Sequence, residues 1–202
     1  YEQIELGVKK IHQMQNMELG EVRIGASDMT LQFYLLPYLE KFHEKYPGIK
    51  VIVTNAPTPE TLNYLREGRI DFGIVSTPFP ERPDIRMIPV REIEDVFVAG
   101  RRFFSYKNKT LDFQELESLP LIFLEKKTSS RSYMDEFLAG NGVYVQPEFE
   151  LATSDMIVQF VRRNLGVGCV MRDFAKDYVE SGLLFELRFN KIIPKRQFCV
   201  VR

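Results

Sequence analysis

Short apolar runs alternate with segments of helical periodicity along this chain, and this alternation constrains its fold more than any other feature. Residues 20–77 give the order strand, polar loop, helix, strand, helix, strand. The first strand, 22–25, runs into a hydroxyl-rich loop, after which apolar residues recur at helical spacing: Leu31, Leu35, Leu36, Leu39 and Phe42. Alternating strands and helices predict an α/β fold with parallel sheets.

The same unit recurs in the second half of the chain, which predicts a second lobe. A buried strand at 119–124 leads to a polar loop and to a helix that ends near Gly140. A strand at 149–152 is followed by the N-cap cluster Thr153-Ser154-Asp155 and a helix over 156–164. Another strand and helix follow at 167–171 and 173–181. At 202 residues the chain is long enough for two lobes of roughly 100 residues each.

The polar residues that follow these strands are the candidate ligand contacts. In open α/β sheets ligands bind beyond the carboxyl ends of the strands, and helix N-termini offer N–H groups to anions. Two lobes placed face to face would line one cleft with both sets of loops. Plain helix capping is the alternative role for the same side chains. The candidates are Ser27, Asp28, Thr30, Ser76, Thr77, Thr128, Ser129, Ser130, Arg131, Thr153 and Ser154.

Several motifs in a fixed order resemble the effector-binding domain of LysR-type transcriptional regulators. They are Leu36-Pro37, Phe42 with Tyr46-Pro47, the strand 49–54, the helix 59–67 that ends at Gly68, and the strand 71–75. Each motif alone is common, but their order and spacing over nearly the whole chain make the resemblance specific. It implies two Rossmann-like lobes with an interlobe cleft, an architecture similar to type 2 periplasmic binding proteins.

The resemblance also implies boundaries and partners. Residues 1–19, with Ile4, Val8 and Ile11 on one helical face, are expected to be the end of a linker helix; a helix folded back on the domain is the alternative. Lobe I is expected at 20–93 and 190–202, and lobe II at 94–189. The expected partners are a small-molecule effector and further copies of the chain, as a homodimer or homotetramer. DNA would be bound only through an N-terminal winged helix-turn-helix, which this chain lacks, as it lacks the usual final helix.

Asp28 affects which effector is expected. A carboxylate at a helix start is favoured by the helix dipole and commonly acts as a cap. Its charge would also repel the anionic effectors that the family commonly senses, which favours a ligand with an amine. Arg131 could pair with a carboxylate at the ligand's other end. A zwitterion such as an amino acid would satisfy both charges.

Composition and the remaining motifs argue against other functions. Lys and Arg number 27 and Asp and Glu 28, so a net charge of −1 gives no field that attracts nucleic acid. No apolar run suggests a membrane helix or a secretory signal, and we expect a cytoplasmic protein without a membrane partner. Gly166-Val167-Gly168 reads as a helix stop, and His12 and His43 lie beside no nucleophile or metal group.

We therefore expect no catalytic residues, no metal and no cofactor. Cys169 and Cys199 sit in apolar runs, where buried, unreactive thiols are expected rather than an oxidant sensor. The main alternative function is a solute-binding protein of a transporter, which shares the two-lobe plan. A DNA-binding module encoded upstream would distinguish the regulator from the solute-binding protein.

Overall fold

The computed structural model describes residues 4, 5, 8 and 19–202, which form two compact units. Ile4, Glu5 and Val8 are helical and exposed, while Ile11 and most of the predicted linker helix lie outside the described residues. The first unit comprises the described residues up to Val75, together with Glu81–Pro89 and Cys199–Arg202. The second unit comprises Ser76–Pro80 and Val90–Phe198.

The first unit is built on a five-stranded sheet. Strand β1 pairs in parallel with both β2 and β3, as the alternating pattern predicts. The strand order is β2-β1-β3-β12-β4, so the last strand in sequence lies inside the sheet. Its elements are β1 (Gly20–Ala26), α1 (Asp28–Thr30), a π-helical turn (Leu31–Leu35), α2 (Leu36–Lys45), β2 (Ile49–Asn55), α3 (Thr58–Arg66), β3 (Phe72–Ser76), β4 (Met87–Ile93) and β12 (Arg196–Val201).

Two glycines let helix α3 lie close against this sheet. A Cβ built on Gly25 would come within 2.7 Å of the Thr61 side chain, and one built on Gly73 would come equally close. Thr61 is fully buried, and its hydroxyl donates to the carbonyl oxygen of Ala56 at 3.2 Å. The absence of both Cβ atoms therefore fixes where the helix packs on strands β1 and β3.

The second unit contains another five-stranded sheet, in the order β10-β5-β9-β7-β8. Strand β7 is parallel to β8 and β9, whereas β5 is antiparallel to β9 and β10. The elements are β5 (Asp95–Ala99), a 3-10 helix (Arg101–Tyr106), β6 (Thr110–Leu111), a 3-10 helix (Phe113–Ser118), β7 (Leu121–Leu124), α4 (Ser129–Gly140), β8 (Phe149–Leu151), α5 (Ser154–Arg162), β9 (Val167–Met171), α6 (Arg172–Glu180), β10 (Phe185–Glu186) and β11 (Arg188–Phe189).

The antiparallel strands depart from the parallel sheets that the alternation predicts. Strand β5 enters this sheet directly from β4, a strand of the other sheet, with a single residue between them, so no strand–helix unit of its own sheet sets its direction. Where helices do separate the strands, at β7, β8 and β9, the pairing is parallel. The prediction therefore holds for the strand–helix–strand units and fails for β5, which enters the sheet without a preceding helix.

A large apolar core lies within the second unit. Phe97, Phe123, Met134 and Leu138 are almost completely buried in it, and Phe113 stacks on Phe189 with 4.2 Å between ring centroids. This core packs helix α4 against β7 and so fixes the position of the helix start.

The two units group residues differently from the predicted lobes in three places. Residues 76–80, 90–93 and 190–198 belong to the second unit, although the sequence suggested lobe I for them. The lobe boundaries at 93 and 189 stay a prediction. Among the described residues, no helix has the length and apolar character needed to cross a membrane.

Candidate functional site

Two helices of the second unit begin at threonines that were predicted as site residues. Thr128 Oγ1 accepts a hydrogen bond from the backbone N–H of Arg131 at 3.2 Å, at the start of α4. Thr153 Oγ1 accepts one from the N–H of Met156 at 3.4 Å, at the start of α5. Both threonines have extended backbone angles, as N-cap residues do. Their capping role is therefore visible in the geometry.

The hydroxyl of Thr128 is committed twice. Besides capping the helix, it donates to the carbonyl oxygen of Glu125 at 3.1 Å. Ser154, the residue after the second cap, is buried. Neither the two hydrogen bonds of Thr128 nor the burial of Ser154 excludes a ligand, because a capped helix start has further N–H groups besides the one that binds the cap.

The predicted site residues of the first unit form a cluster at the end of β1. Ser27 Oγ accepts from the N–H of Thr30 at 3.4 Å, and the hydroxyl of buried Thr30 donates back to the Ser27 carbonyl oxygen at 3.0 Å. The carboxylate of Asp28 accepts a hydrogen bond from the side-chain amide of Asn55. Asn55 ends β2, and its Cα lies opposite Ala26 of β1, so two neighbouring strand ends meet here.

Four other predicted residues come together within the second unit. Ser76 Oγ lies 2.8 Å from Ser129 Oγ. The carbonyl oxygen of Thr77 and the hydroxyl of Ser130 both accept hydrogen bonds from the guanidinium of Arg196, at 2.9 and 3.1 Å. The segment that follows β3 is thereby joined to the first turn of α4. The sequence alone placed these residues at two separate strand ends.

Sequence reasoning missed the residue at the centre of this cluster. Arg196 forms a buried ion pair with Asp95, in which Nε donates to Oδ2 at 2.5 Å and Nη2 donates to Oδ1 at 2.7 Å. The two side chains are 1% and 4% exposed. The guanidinium also lies over the ring of Tyr133, 5.2 Å from its centroid. The available signal was a charged residue at the head of each of two apolar strand runs.

This pair also affects the nearby titratable groups. Burial raises the pKa of the Cys169 thiol well above its usual value, and the negative charge of Asp95 raises it further. Burial is likewise the main cause that raises the pKa of the Tyr133 phenol. Burial raises the pKa of Cys199 as well. Since the thiolate is the reactive form, the raised pKa values favour the less reactive thiol form of both cysteines.

The structure places Arg131 differently from what the zwitterion hypothesis needs. Its side chain is 3% exposed and donates to both carboxylate oxygens of Asp135, at 2.9 and 2.8 Å. It also donates to Glu150 at 3.1 Å and to the carbonyl oxygen of Leu124 at 2.8 Å. Two carboxylates and a carbonyl thus pair with Nε and Nη1 of the guanidinium, which favours a structural role, and the contact of Arg131 with a ligand carboxylate stays a prediction. Only its backbone N–H belongs to the helix start.

No group of three or more His, Cys, Asp or Glu side chains that could hold a metal ion occurs in the described part of the chain. The chemistry of the two clusters is that of hydrogen bonding: hydroxyls, helix-start N–H groups, the Asp28 carboxylate and the buried Arg196–Asp95 ion pair. Such groups can bind and orient a small polar molecule.

Comparison with known proteins places this geometry in a family. The chain matches the family described as the LysR substrate binding domain over residues 15–202. It is 23% identical over 196 residues to a probable RuBisCO transcriptional regulator of Cyanophora paradoxa, covering 95% of this chain and 60% of that protein. It is 26% identical over 157 residues to the HTH-type transcriptional activator CmpR of Synechocystis, covering 78% of this chain and 51% of that protein. The chain thus spans about half to three-fifths of these relatives.

Solved structures show the same fold. The regulatory domain of CcmR from Synechocystis PCC6803, in complex with 2-PG, superposes with a TM-score of 0.80 at 21% identity, covering 91% of this chain and 87% of that one. The effector-binding domain of QuiR, in complex with shikimate, gives a TM-score of 0.77 at 16% identity, covering 91% and 87%.

The family match extends over nearly the whole chain, and the structural matches confirm the predicted two-lobed α/β architecture of the periplasmic-binding-protein-like type 2 class. The resemblance that the motifs suggested is therefore confirmed: the chain belongs to the LysR substrate-binding domain family and corresponds to the effector-binding part of a LysR-type transcriptional regulator.

Proposed function

We propose that this chain binds a small polar metabolite and serves as the sensing part of a DNA-binding regulator. The observation that carries the proposal is the cluster at the start of α4, where Ser129 and Ser130 contact Ser76 and Arg196. The metabolite is a carboxylate, an amino acid or another anion. The regulatory domain bound to 2-PG and the effector-binding domain bound to shikimate support this ligand class, since both share the fold.

The start of α4 suits the anionic part of such a ligand. It combines helix N–H groups and the positive end of the helix dipole with hydroxyls that can donate hydrogen bonds. Thr128 fixes the end of the helix, and the hydrogen bonds of Arg131 to the Leu124 carbonyl oxygen and to Glu150 hold its first turn against β7 and β8. A rigid helix start loses little entropy when a ligand binds.

The cluster at Asp28 has the opposite preference. In the described residues the Asp28 carboxylate has an amide partner, Asn55, and no cationic one, so an ammonium group would find an uncompensated negative charge there. Thr30 and Ser27 hold the loop that carries this carboxylate. We propose that Asp28 selects ligands with an amine. Since Arg131 is occupied by its own carboxylate partners, the α4 start and its hydroxyls take the role of anion partner.

The partners proposed for the whole protein follow from its family. The relatives are described as transcriptional regulators, so we propose that DNA is bound by a separate N-terminal domain and that the protein works in the cytoplasm. We propose a homodimer or homotetramer as the working form. Neither a catalytic role nor a cofactor is proposed, because the two clusters contain no nucleophile with an adjacent base.

Thermal shift against a panel of amino acids, organic acids, phosphate and sulfate tests the binding proposal. A ligand present at about 100 times its dissociation constant should stabilise the fold by roughly 2.7 kcal/mol. A zwitterionic amino acid is expected to give the largest shift. If no member of the panel raises the melting temperature, the sensing function loses its support.

Sedimentation at micromolar concentration separates the regulator from a solute-binding protein of a transporter. A regulator domain is expected to self-associate, and removal of residues 1–19 should weaken the association only in part. A chain that is monomeric with and without these residues would favour the solute-binding protein. The coding sequence upstream gives an independent check, because a winged helix-turn-helix there identifies the regulator.

A further inference from the structure

Arg196 is almost fully buried, and its hydrogen bonds join four segments that are distant in sequence. Nε and Nη2 bind the carboxylate of Asp95, Nη1 binds the carbonyl oxygen of Thr77, and Nη2 also binds the hydroxyl of Ser130. These contacts span 101, 119 and 66 residues of sequence. A buried ion pair alone would need only Asp95. The additional bonds show that the guanidinium also holds two groups of the proposed ligand site, the backbone carbonyl of Thr77 and the hydroxyl of Ser130.

The bond to Ser130 fixes the direction in which its hydroxyl acts. A guanidinium has five N–H donors and no acceptor, so Ser130 Oγ must accept in this contact. The hydroxyl hydrogen then points elsewhere, and among the described residues no acceptor receives it. Ser130 is only half-buried. Its hydroxyl hydrogen is thus available to a ligand in the first turn of α4.

We propose that Arg196 is a positioning residue for the effector: by donating to one lone pair of the Ser130 hydroxyl it directs the hydroxyl hydrogen away from the guanidinium, where it can be donated to a ligand, so the site favours ligands that present an anionic oxygen. This inference rests on the proposed binding function and adds to it a specificity determinant. Asp95 takes part by holding the guanidinium in place, since its bidentate contact fixes the plane of the fork.

A purely structural role for Arg196 makes a different prediction. In that case its replacement would lower stability, and any loss of affinity would add to the loss caused by removing the Ser130 hydroxyl. If Arg196 acts through Ser130, the two losses do not add, because both changes act on the same hydroxyl: one removes it and the other releases its orientation. The comparison of single and double variants therefore distinguishes the two roles.

The experiment measures the affinity of the chain for inorganic phosphate by titration, with NMR signals of the 129–131 amides as the readout. The variants are Ser130→Ala, Arg196→Lys and their combination. Ser132→Ala, an exposed serine two residues along the same helix, is the matched control, and Ser130→Thr keeps the hydroxyl. We expect Ser130→Ala and Arg196→Lys each to weaken phosphate binding by roughly tenfold, as loss of one charge-assisted hydrogen bond predicts.

The combined variant should bind phosphate within about twofold of Ser130→Ala alone, while Ser132→Ala and Ser130→Thr should bind as the parent chain does. If Arg196→Lys fails to fold, the pair Asp95→Leu with Arg196→Met replaces the buried ion pair by apolar side chains, which folded proteins often tolerate. This pair should also lose roughly tenfold in affinity, and adding Ser130→Ala to it should change nothing further.

Additive losses in the combined variant would overturn the positioning role and leave the proposed binding function intact. A parent chain that does not bind phosphate at all would also overturn it, because the proposed role of the oriented hydroxyl is to bind an anionic oxygen at the helix start. In that event the thermal-shift panel, extended to ligands without an anionic oxygen such as simple amines, still decides separately whether the domain senses a small molecule.

Discussion

Arg23 donates one hydrogen bond to each of the two carboxylate oxygens of Asp71. The backbone N–H of Arg23 donates to Asp71 Oδ2 at 2.7 Å, and its guanidinium Nη2 donates to Oδ1 at 2.9 Å. The same guanidinium donates to the carbonyl oxygen of Gly68 at 3.0 Å. Strand β1 is thereby tied to the turn that precedes β3. These hydrogen bonds lower the pKa of the Asp71 carboxyl, the backbone contact being the largest cause.

A pH-dependent contribution to stability follows from this contact. Folding lowers the pKa of Asp71, so the ionised carboxylate stabilises the folded state. This stabilisation is fully present above about pH 4, the ordinary carboxyl pKa, and is lost as the pH falls through the lowered pKa. Asp71→Asn should therefore destabilise the chain at neutral pH by no more than about 1 kcal/mol, since the carboxylate is partly exposed. Urea denaturation at pH 7 and at pH 3 measures the difference, which should shrink at the lower pH. A constant difference would show that the charge is not responsible.

The two threonine caps allow binding to be separated from stability. Thr128→Ala and Thr153→Ala each remove one N-cap and should each cost about 1 kcal/mol of stability. Combining Thr128→Ala with Ser129→Ala should in addition lower ligand affinity by about 2 to 4 kcal/mol, because hydroxyls beside the proposed anion site are lost. Calorimetric titration and denaturation midpoints of the same samples check this. Unchanged affinity in the double variant would mean that these residues act only as caps.

Asp28→Asn tests the proposed selection for an amine. The substitution keeps the size of the side chain and leaves an oxygen that can accept from Asn55, so the fold should be unaffected. Affinity for an amine-bearing ligand should drop by roughly tenfold, and affinity for a purely anionic ligand should stay or improve. Titration with an amino acid and with the matching organic acid that lacks the amine makes the comparison. The opposite order of effects would refute the role of Asp28.

Arg131 should behave as a structural residue. Arg131→Met leaves Asp135, Glu150 and the Leu124 carbonyl without their donor, and we expect a loss of about 2 to 3 kcal/mol of stability with ligand affinity unchanged. Lys176→Met is a suitable control, because it breaks an exposed pair with Glu180 at the same helical spacing and should cost less than about 0.5 kcal/mol. A selective loss of affinity in Arg131→Met would restore its predicted contact with the ligand.

The local elements and the helix starts were predictable from the sequence, and the roles of the two buried arginines were not. A hydroxyl residue between an apolar strand and a helical period is a local signal, and Ser27, Thr128 and Thr153 all cap helices in the structure. The contact of Arg196 with Asp95 joins residues 101 positions apart, which no local pattern encodes. Arg131 lies on helix α4 and pairs with Glu150 of strand β8, a contact between two elements that no local pattern encodes either.

Strand β12 lies between β3 and β4, although it is the last strand of the chain. During synthesis on the ribosome, the strands of the other sheet, from β5 to β10, are all made before it. The sheet of the first unit is therefore completed last, although N-terminal units usually fold first. Strands β1, β2 and β3 can pair early, but one edge of β3 must wait unpaired until Arg196–Val201 has been translated.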